Sequence, residues 1–264
     1  MKAIPFDVPG LTDIIDYPSD QDYTFFEIRD QNVDLSYDDC VELAQVAKEK
    51  GIELIYVFNK NPLDTAYFAA FNKAIANVSV FQGPAILRAL ASKTEFESDT
   101  VRKGWSTGEL KKISSVADSC TEICWRKNIR FVFENSNEAF FGDGMSYYGL
   151  ADLLNNTKQA GLQLDIANLF RNTARAANDP QKVLDFLPSL GGRWVEAHLK
   201  TVVGGEAQTV LTDNPIPFRE IFEAMNDQGV IYAAIELTAV ENKQKRIDNH
   251  AKSIQFLRDN GLLN

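Results

Sequence analysis

The feature that most constrains the fold of this chain is an alternation. Eight short runs rich in Val, Ile, Phe and Tyr are spread along all 264 residues, with longer amphipathic stretches between them. The runs cover residues 2–8, 23–29, 52–59, 78–83, 130–135, 162–168, 193–200 and 230–237. Their length and their β-branched and aromatic content predict strands. Apolar residues at helical spacing predict helices over 36–50, 106–127, 147–160, 217–228 and 242–260, with a shorter, weaker one inside 11–19. Ser106 and Glu109 have the spacing of a capping box. Gly51, Gly161, Gly229 and Gly261 each stand just past a helical stretch, where a left-handed cap is common. Strand–helix alternation points to parallel βα units. About 33 residues per unit suits an α/β chain folded as a single (β/α)8 TIM barrel domain over residues 1–264.

Composition narrows the function. With 37 acidic and 27 basic residues the net charge is −10, which argues against a nucleic-acid backbone as partner. No Gly-x-Gly-x-x-Gly follows the first strand and no Walker A loop is present, so a nucleotide-binding reading has no support. Three cysteines are too few for a disulfide scaffold, and Cys40, Cys120 and Cys124 read as buried helix residues. The first residues contain no apolar leader segment, and no run is long enough for a membrane span. A cytoplasmic protein with no membrane partner is expected.

The turns are asymmetric. Helix-to-strand turns are tight, whereas the strand-to-helix segments 84–105, 136–146, 169–179 and 201–216 are long. In a barrel these rise on the face that carries chemistry. Gly142, Gly144, Gly204 and Gly205 are candidates for a lid or for ordinary loop glycines. Trp105, Phe140, Phe141 and Tyr147 could wall a pocket or pack the loops.

The strand ends carry the chemical signal. The fifth run ends in Glu134-Asn135, the sixth carries Asp165, the seventh His198-Leu199-Lys200, and the eighth Glu236. Side chains two apart on a strand share a face, so Val132 goes with Glu134, Gln163 with Asp165, and Glu196 with His198 and Lys200. If that face is the interior, three carboxylates and one imidazole converge. Their mutual repulsion calls for a divalent cation, and such a set suits Mn²⁺, Mg²⁺, Co²⁺ or Zn²⁺. Asn59, Gln82 and Asn135 also read as strand ends that could bind hydroxyls or cap their strands. Glu27 and Arg29 alternate into the presumed interior and read as a structural ion pair. Arg171 and Arg175 could hold an anionic group or sit in solvent. His250, in the last helix, reads as a packing or surface residue.

The ordered set FVFEN, LQLDIAN, VEAHLK and AAIEL resembles the xylose isomerase-like TIM barrel superfamily, in its sugar (phosphate) isomerase/epimerase branch. The resemblance is clearest over residues 131–237. It implies one divalent metal on Glu134, Asp165, His198 and Glu236. It also implies a ketose or keto-polyol substrate processed through an enediolate, with Glu134 and Glu236 moving the proton and Lys200 beside the metal. Asn59, Gln82, Asn135, Asn168 and Arg171 become candidate substrate-binding residues, and a homo-oligomer is a possible assembly. The chain departs from the pattern twice. Asn168 stands where relatives often have His, and Thr201 where many have Asp. Two alternatives therefore stay open: a metal-dependent lyase or dehydratase on a sugar derivative, and a catalytically silent barrel serving as a binding protein or subunit. The His-rich nuclease branch of the superfamily is disfavoured by a chain with two histidines.

Overall fold

The computed structural model describes residues 2–5, 25–29, 35–58, 60–81, 85–90, 96–98, 101–102, 106–135, 157, 160–170, 180–203, 206–212, 216–230, 232–237 and 242–263. Along the chain these form β1 (Lys2–Pro5), β2 (Phe25–Arg29), α1 (Tyr37–Glu49), β3 (Glu53–Phe58), α2 (Tyr67–Val78), β4 (Ala85–Leu90), β5 (Phe96–Ser98) and β6 (Val101–Arg102). Next come α3 (Thr107–Trp125), β7 (Ile129–Glu134), β8 (Gly161–Asp165), α4 (Pro180–Phe186) and β9 (Trp194–Leu199). The chain continues with β10 (Val202–Val203), β11 (Glu206–Ala207), α5 (Phe218–Asp227), β12 (Tyr232–Ile235) and α6 (Lys243–Asp259).

Eight strands form one parallel sheet in the order β1-β12-β9-β8-β7-β4-β3-β2. The two remaining strand pairs, β5–β6 and β10–β11, are short antiparallel hairpins. The sheet is curled. Its edge strands β1 and β2 approach one another. Tyr232 of β12 makes an edge-on ring contact with Phe25 of β2 at 4.9 Å. The Tyr232 hydroxyl also donates to Glu53 Oε2 of β3 at 3.1 Å. β12 and β3 lie far apart in strand order, so only curvature brings them together.

Helix starts follow local chemistry. Ser36 caps α1 and Ser106 caps α3, each through a complete capping box, with Asp39 and Glu109 as the returning carboxylates. Asn242 caps α6 by accepting from the Lys245 amide. Gly51, Gly229 and Gly261 adopt positive φ just past α1, α5 and α6, as the sequence predicts. Cys40, Cys120 and Cys124 are all buried free thiols on helices, and burial pushes the Cys120 thiol up to about 12. Phe71 of α2 packs edge-on against Phe131 of β7 at 5.8 Å, joining the helical layer to the sheet.

Three expectations change. The fourth strand is not 78–83: Val78 closes α2, and β4 begins at Ala85. The run VSVFQG has strand-forming residues, but Val78 is buried as the last position of an apolar helical stripe with Phe71, Ala74 and Ile75. This helix has no counterpart among those expected. Second, the sixth run ends as a strand at Asp165, and residues 166–170 are helical, so Asn168 lies on a helical turn. Third, Gly161 is no helix cap. It opens β8 without positive φ, and a Cβ there would stand 2.9 Å from Val195 Cγ2 and 3.0 Å from Val132 Cγ1. Glycine is needed for close strand approach. The expected helices at 11–19 and over most of 147–160 lie outside the described residues, as do Gly142, Gly144, Gly204 and Gly205.

Two predictions follow from packing. Gly161→Ala must push apart two stiff valines, so it should destabilise the protein by about 1–3 kcal/mol in denaturant unfolding. His250 is buried on α6, and burial first, then Arg246, lowers its pKa to about 3 from an ordinary value of 6.5. The unfolded chain therefore takes up a proton that the folded chain refuses. The stability this residue protects is complete above pH 6.5 and falls as the pH drops towards 3. The loss reaches about 2 kcal/mol near pH 5. His250→Phe should flatten the stability profile between about pH 5 and pH 7 by that amount, measured by denaturant unfolding.

Candidate active site and metal centre

The C-terminal ends of β7, β8, β9 and β12 bring Glu134, Asp165, His198 and Glu236 together. One ligand atom from each lies within 4.8 Å of all the others. Glu134, Asp165 and His198 are buried, while the Glu236 side chain is 16% exposed. Register explains the convergence. Asp165 pairs with His198 across β8 and β9, and His198 with Ala234 across β9 and β12, two residues before Glu236. The Glu236 amide continues the ladder by donating to Leu199 O at 2.9 Å.

His198 is held from both sides. Its Nδ1 lies 3.1 Å from Glu236 Oε2 and 3.3 Å from Glu134 Oε1. Its Nε2 lies 2.8 Å from Glu27 Oε1, and both of those side chains are fully buried. Lys200 Nζ bridges Asp165 Oδ2 at 2.5 Å and Glu236 Oε2 at 2.7 Å. Burial alone would lower the Lys200 pKa, but the two carboxylates outweigh it and hold the ammonium above its ordinary range. Asp165 is pushed up to about 6. Burial is the main cause, Lys200 opposes it, and the charges of Glu236 and Glu134 add to it.

Asp165 is fixed by its backbone. Asn135 Oδ1 accepts from the Asp165 amide at 2.7 Å, and Asn135 Nδ2 donates to the Asp165 carbonyl at 3.0 Å. The Asn168 amide donates to Asp165 Oδ1 at 2.9 Å, and Asn168 Nδ2 donates to the Asn135 carbonyl at 3.2 Å. The side-chain amides of both asparagines thus bond to backbone around the metal-ligand candidate. Thr201 is used similarly. Its hydroxyl donates to Thr212 O at 3.2 Å and accepts from the Thr212 amide at 2.9 Å, tying down the segment after β9.

The donor set fits a divalent cation. If Nε2 gives its proton to Glu27, Nδ1 carries the lone pair and faces two carboxylates. Lone pairs facing carboxylate oxygens need a cation or a proton between them. Three carboxylates and one imidazole are the hard and borderline ligands that Mn²⁺, Mg²⁺, Co²⁺ or Zn²⁺ accept. Asn59, Gln82, Arg171 and Arg175 lie outside the described residues, as do Trp105, Phe140, Phe141 and Tyr147. β4 begins after Gln82, so the sheet gives no support to Gln82 as a strand end. The sequence did not reveal the role of Glu27. Its partner is His198, across the curled sheet, and inward parity on β2 was the one available signal.

Solved structures of similar fold come from sugar-converting proteins. One is a sugar phosphate isomerase/epimerase from Parabacteroides distasonis, 14% identical, with TM-score 0.68, covering 100% of this chain and 96% of that one. A D-tagatose 3-epimerase-like protein is 15% identical with TM-score 0.73, covering 99% and 100%. A 3-keto-D-glucoside 4-epimerase from E. coli is 14% identical with TM-score 0.71, covering 98% and 99%. The chain has the fold of the xylose isomerase-like sugar isomerases and epimerases. No protein-family profile and no curated protein sequence matches it. No helix among the described residues is long and apolar enough to cross a membrane.

Asn135 anchors Asp165 through two buried hydrogen bonds. Asn135→Ala strands both backbone groups, so it should destabilise the fold by about 2–4 kcal/mol, read by denaturant unfolding. Asn135→Asp should not recover that loss, because a carboxylate oxygen would then face the Asp165 carbonyl beside a cluster already rich in carboxylates.

Proposed function

We propose that this chain is a divalent-metal-dependent isomerase or epimerase acting on a ketose, a keto-polyol or a related small sugar. The observation that carries the reading is the convergence of Glu134, Asp165, His198 and Glu236 on one buried point at the strand ends. Fold likeness to sugar epimerases supports the substrate class. The chain is read as one closed (β/α)8 barrel, supported by the approach of β1 to β2.

Glu134, Asp165, His198 and Glu236 would hold the ion. When bound, it supplies Lewis-acid charge to a substrate carbonyl and its neighbouring hydroxyl. The protein residues do the rest. Glu134 and Glu236 come from β7 and from the end of β12, both lie against His198 Nδ1, and they are the two carboxylates proposed to move the proton. One takes the proton next to the carbonyl and the other returns one. Lys200, held between Asp165 and Glu236, places a fixed positive charge where negative charge develops on oxygen. Asn135 and Asn168 keep the Asp165 carboxylate aimed. Asn59, Gln82 and Arg171 remain proposed contacts to substrate hydroxyls or an anionic group.

The test has two parts. After chelation, calorimetry should show one Mn²⁺ or Co²⁺ per chain, lost in Glu134→Ala and His198→Ala. Ketoses incubated with loaded enzyme in D₂O should then exchange the proton next to the carbonyl. Glu134→Gln and Glu236→Gln should each slow that exchange by at least about 10²-fold. Metal binding without exchange would favour a silent barrel, and exchange with loss of water a lyase. No metal binding by a folded chain would sink the enolisation reading.

A further inference from the structure

We infer that Glu27 is the positioning residue for the metal-binding imidazole. It fixes His198 as the Nε2–H tautomer, so that Nδ1 alone is offered to the cation; this rests on the metal reading above. The geometry is specific. Glu27 Oε1 lies 2.8 Å from His198 Nε2, and both side chains are 0% exposed. The contact spans the curled sheet from β2 to β9, which are eighth and third in strand order.

The lone-pair count decides between two uses of this imidazole. Glu27, Glu196 and His198 also bring ligand atoms within 4.8 Å of one another, so a second ion below the first can be considered. A neutral imidazole has one nitrogen lone pair. At Nδ1 that lone pair faces Glu134 and Glu236, with Asp165 completing the set. At Nε2 it would face a carboxylate 2.8 Å away that can only accept. Placing the proton at Nε2 satisfies Glu27 and frees Nδ1 for the larger donor set. A carboxylate hydrogen-bonded to the distal nitrogen of a metal-bound histidine also makes that histidine a better ligand and fixes its ring.

The chain has only two histidines, which makes the tautomer directly readable. Protein labelled with ¹⁵N-histidine is studied by long-range ¹H–¹⁵N correlation, metal-free and loaded with diamagnetic Zn²⁺ or Mg²⁺. His250→Phe assigns the two spin systems. The expected result is a protonated Nε2 on His198 in both states and, in loaded protein, a deprotonated Nδ1. Glu27→Ala should lose the preference. Glu27→Gln, which keeps shape and an acceptor, should retain it. Both variants should still bind one Mn²⁺ per chain by calorimetry, but about 10- to 100-fold more weakly. An Nδ1–H tautomer in the wild-type protein overturns the inference, as does unchanged Mn²⁺ affinity in both variants. Should Glu27→Ala fail to fold, the wild-type tautomer and Glu27→Gln affinity decide. A wild-type protein that binds no ion yet shows the Nε2–H tautomer, lost in Glu27→Ala, removes the metal reading and leaves the orientation by Glu27 standing.

Discussion

The carboxylates at the strand ends repel one another, and the rest of the site is arranged around that repulsion. Two unit charges about 4 Å apart at an effective dielectric near 20 repel by about 4 kcal/mol. Glu134, Asp165 and Glu236 meet at one point, with Glu27 beneath them on the other side of His198. Lys200 offsets part of this by lying between Asp165 and Glu236. Burial is the main cause that pushes the Asp165 pKa up to about 6; Lys200 opposes it, and the charges of Glu236 and Glu134 add to the rise. A cluster of this kind is a poor source of stability, because removing charges from water costs more than modest pairing returns. A cation held there would relieve the conflict.

Such a cluster needs a frame that cannot relax away from it. Parallel strands provide the frame, since each one delivers a side chain to the interior every second residue. Nearer the strand starts, Phe25 packs against Tyr232 and Tyr232 bonds to Glu53 across the curl of the sheet. Asn135 then clamps the Asp165 backbone at both its amide and its carbonyl, and the Asn168 amide donates to the carboxylate itself. The tight approach at Gly161 serves the same end, because it seats the start of β8 against its neighbours.

The site was more legible in the sequence than parts of the fold were. An apolar strand that ends in one acid or one histidine stands out, and Glu134, Asp165, His198 and Glu236 each did. The fourth strand was misplaced because Val78-Ser79-Val80-Phe81 has strand-forming residues, although Val78 belongs to a helical stripe that only tertiary packing reveals. Gly161 looked like a cap because caps and crowded strand starts both select glycine. The Glu27–His198 contact was not legible, because it depends on curvature between distant strands. The Asn135–Asp165–Asn168 bonds were hidden for a related reason. They arise where the chain leaves β8 and turns directly into a helical segment, and the expected strand ran through that point.

The two departures from the resemblance acquire a physical meaning here. Asn168 and Thr201 stand where the resemblance leads one to expect His and Asp. In this chain Asn168 holds the Asn135 carbonyl and the Asp165 carboxylate, and Thr201 binds both backbone groups of Thr212. Both residues are buried and serve the scaffold. The departures therefore leave the metal-ligand candidates and their supports in place and change what lies beside them. A chain that had abandoned chemistry would have no reason to keep three repelling carboxylates, a buried lysine and an oriented imidazole, since apolar residues of similar size would fold more stably. The retained cluster is thus the stronger argument for an enzyme.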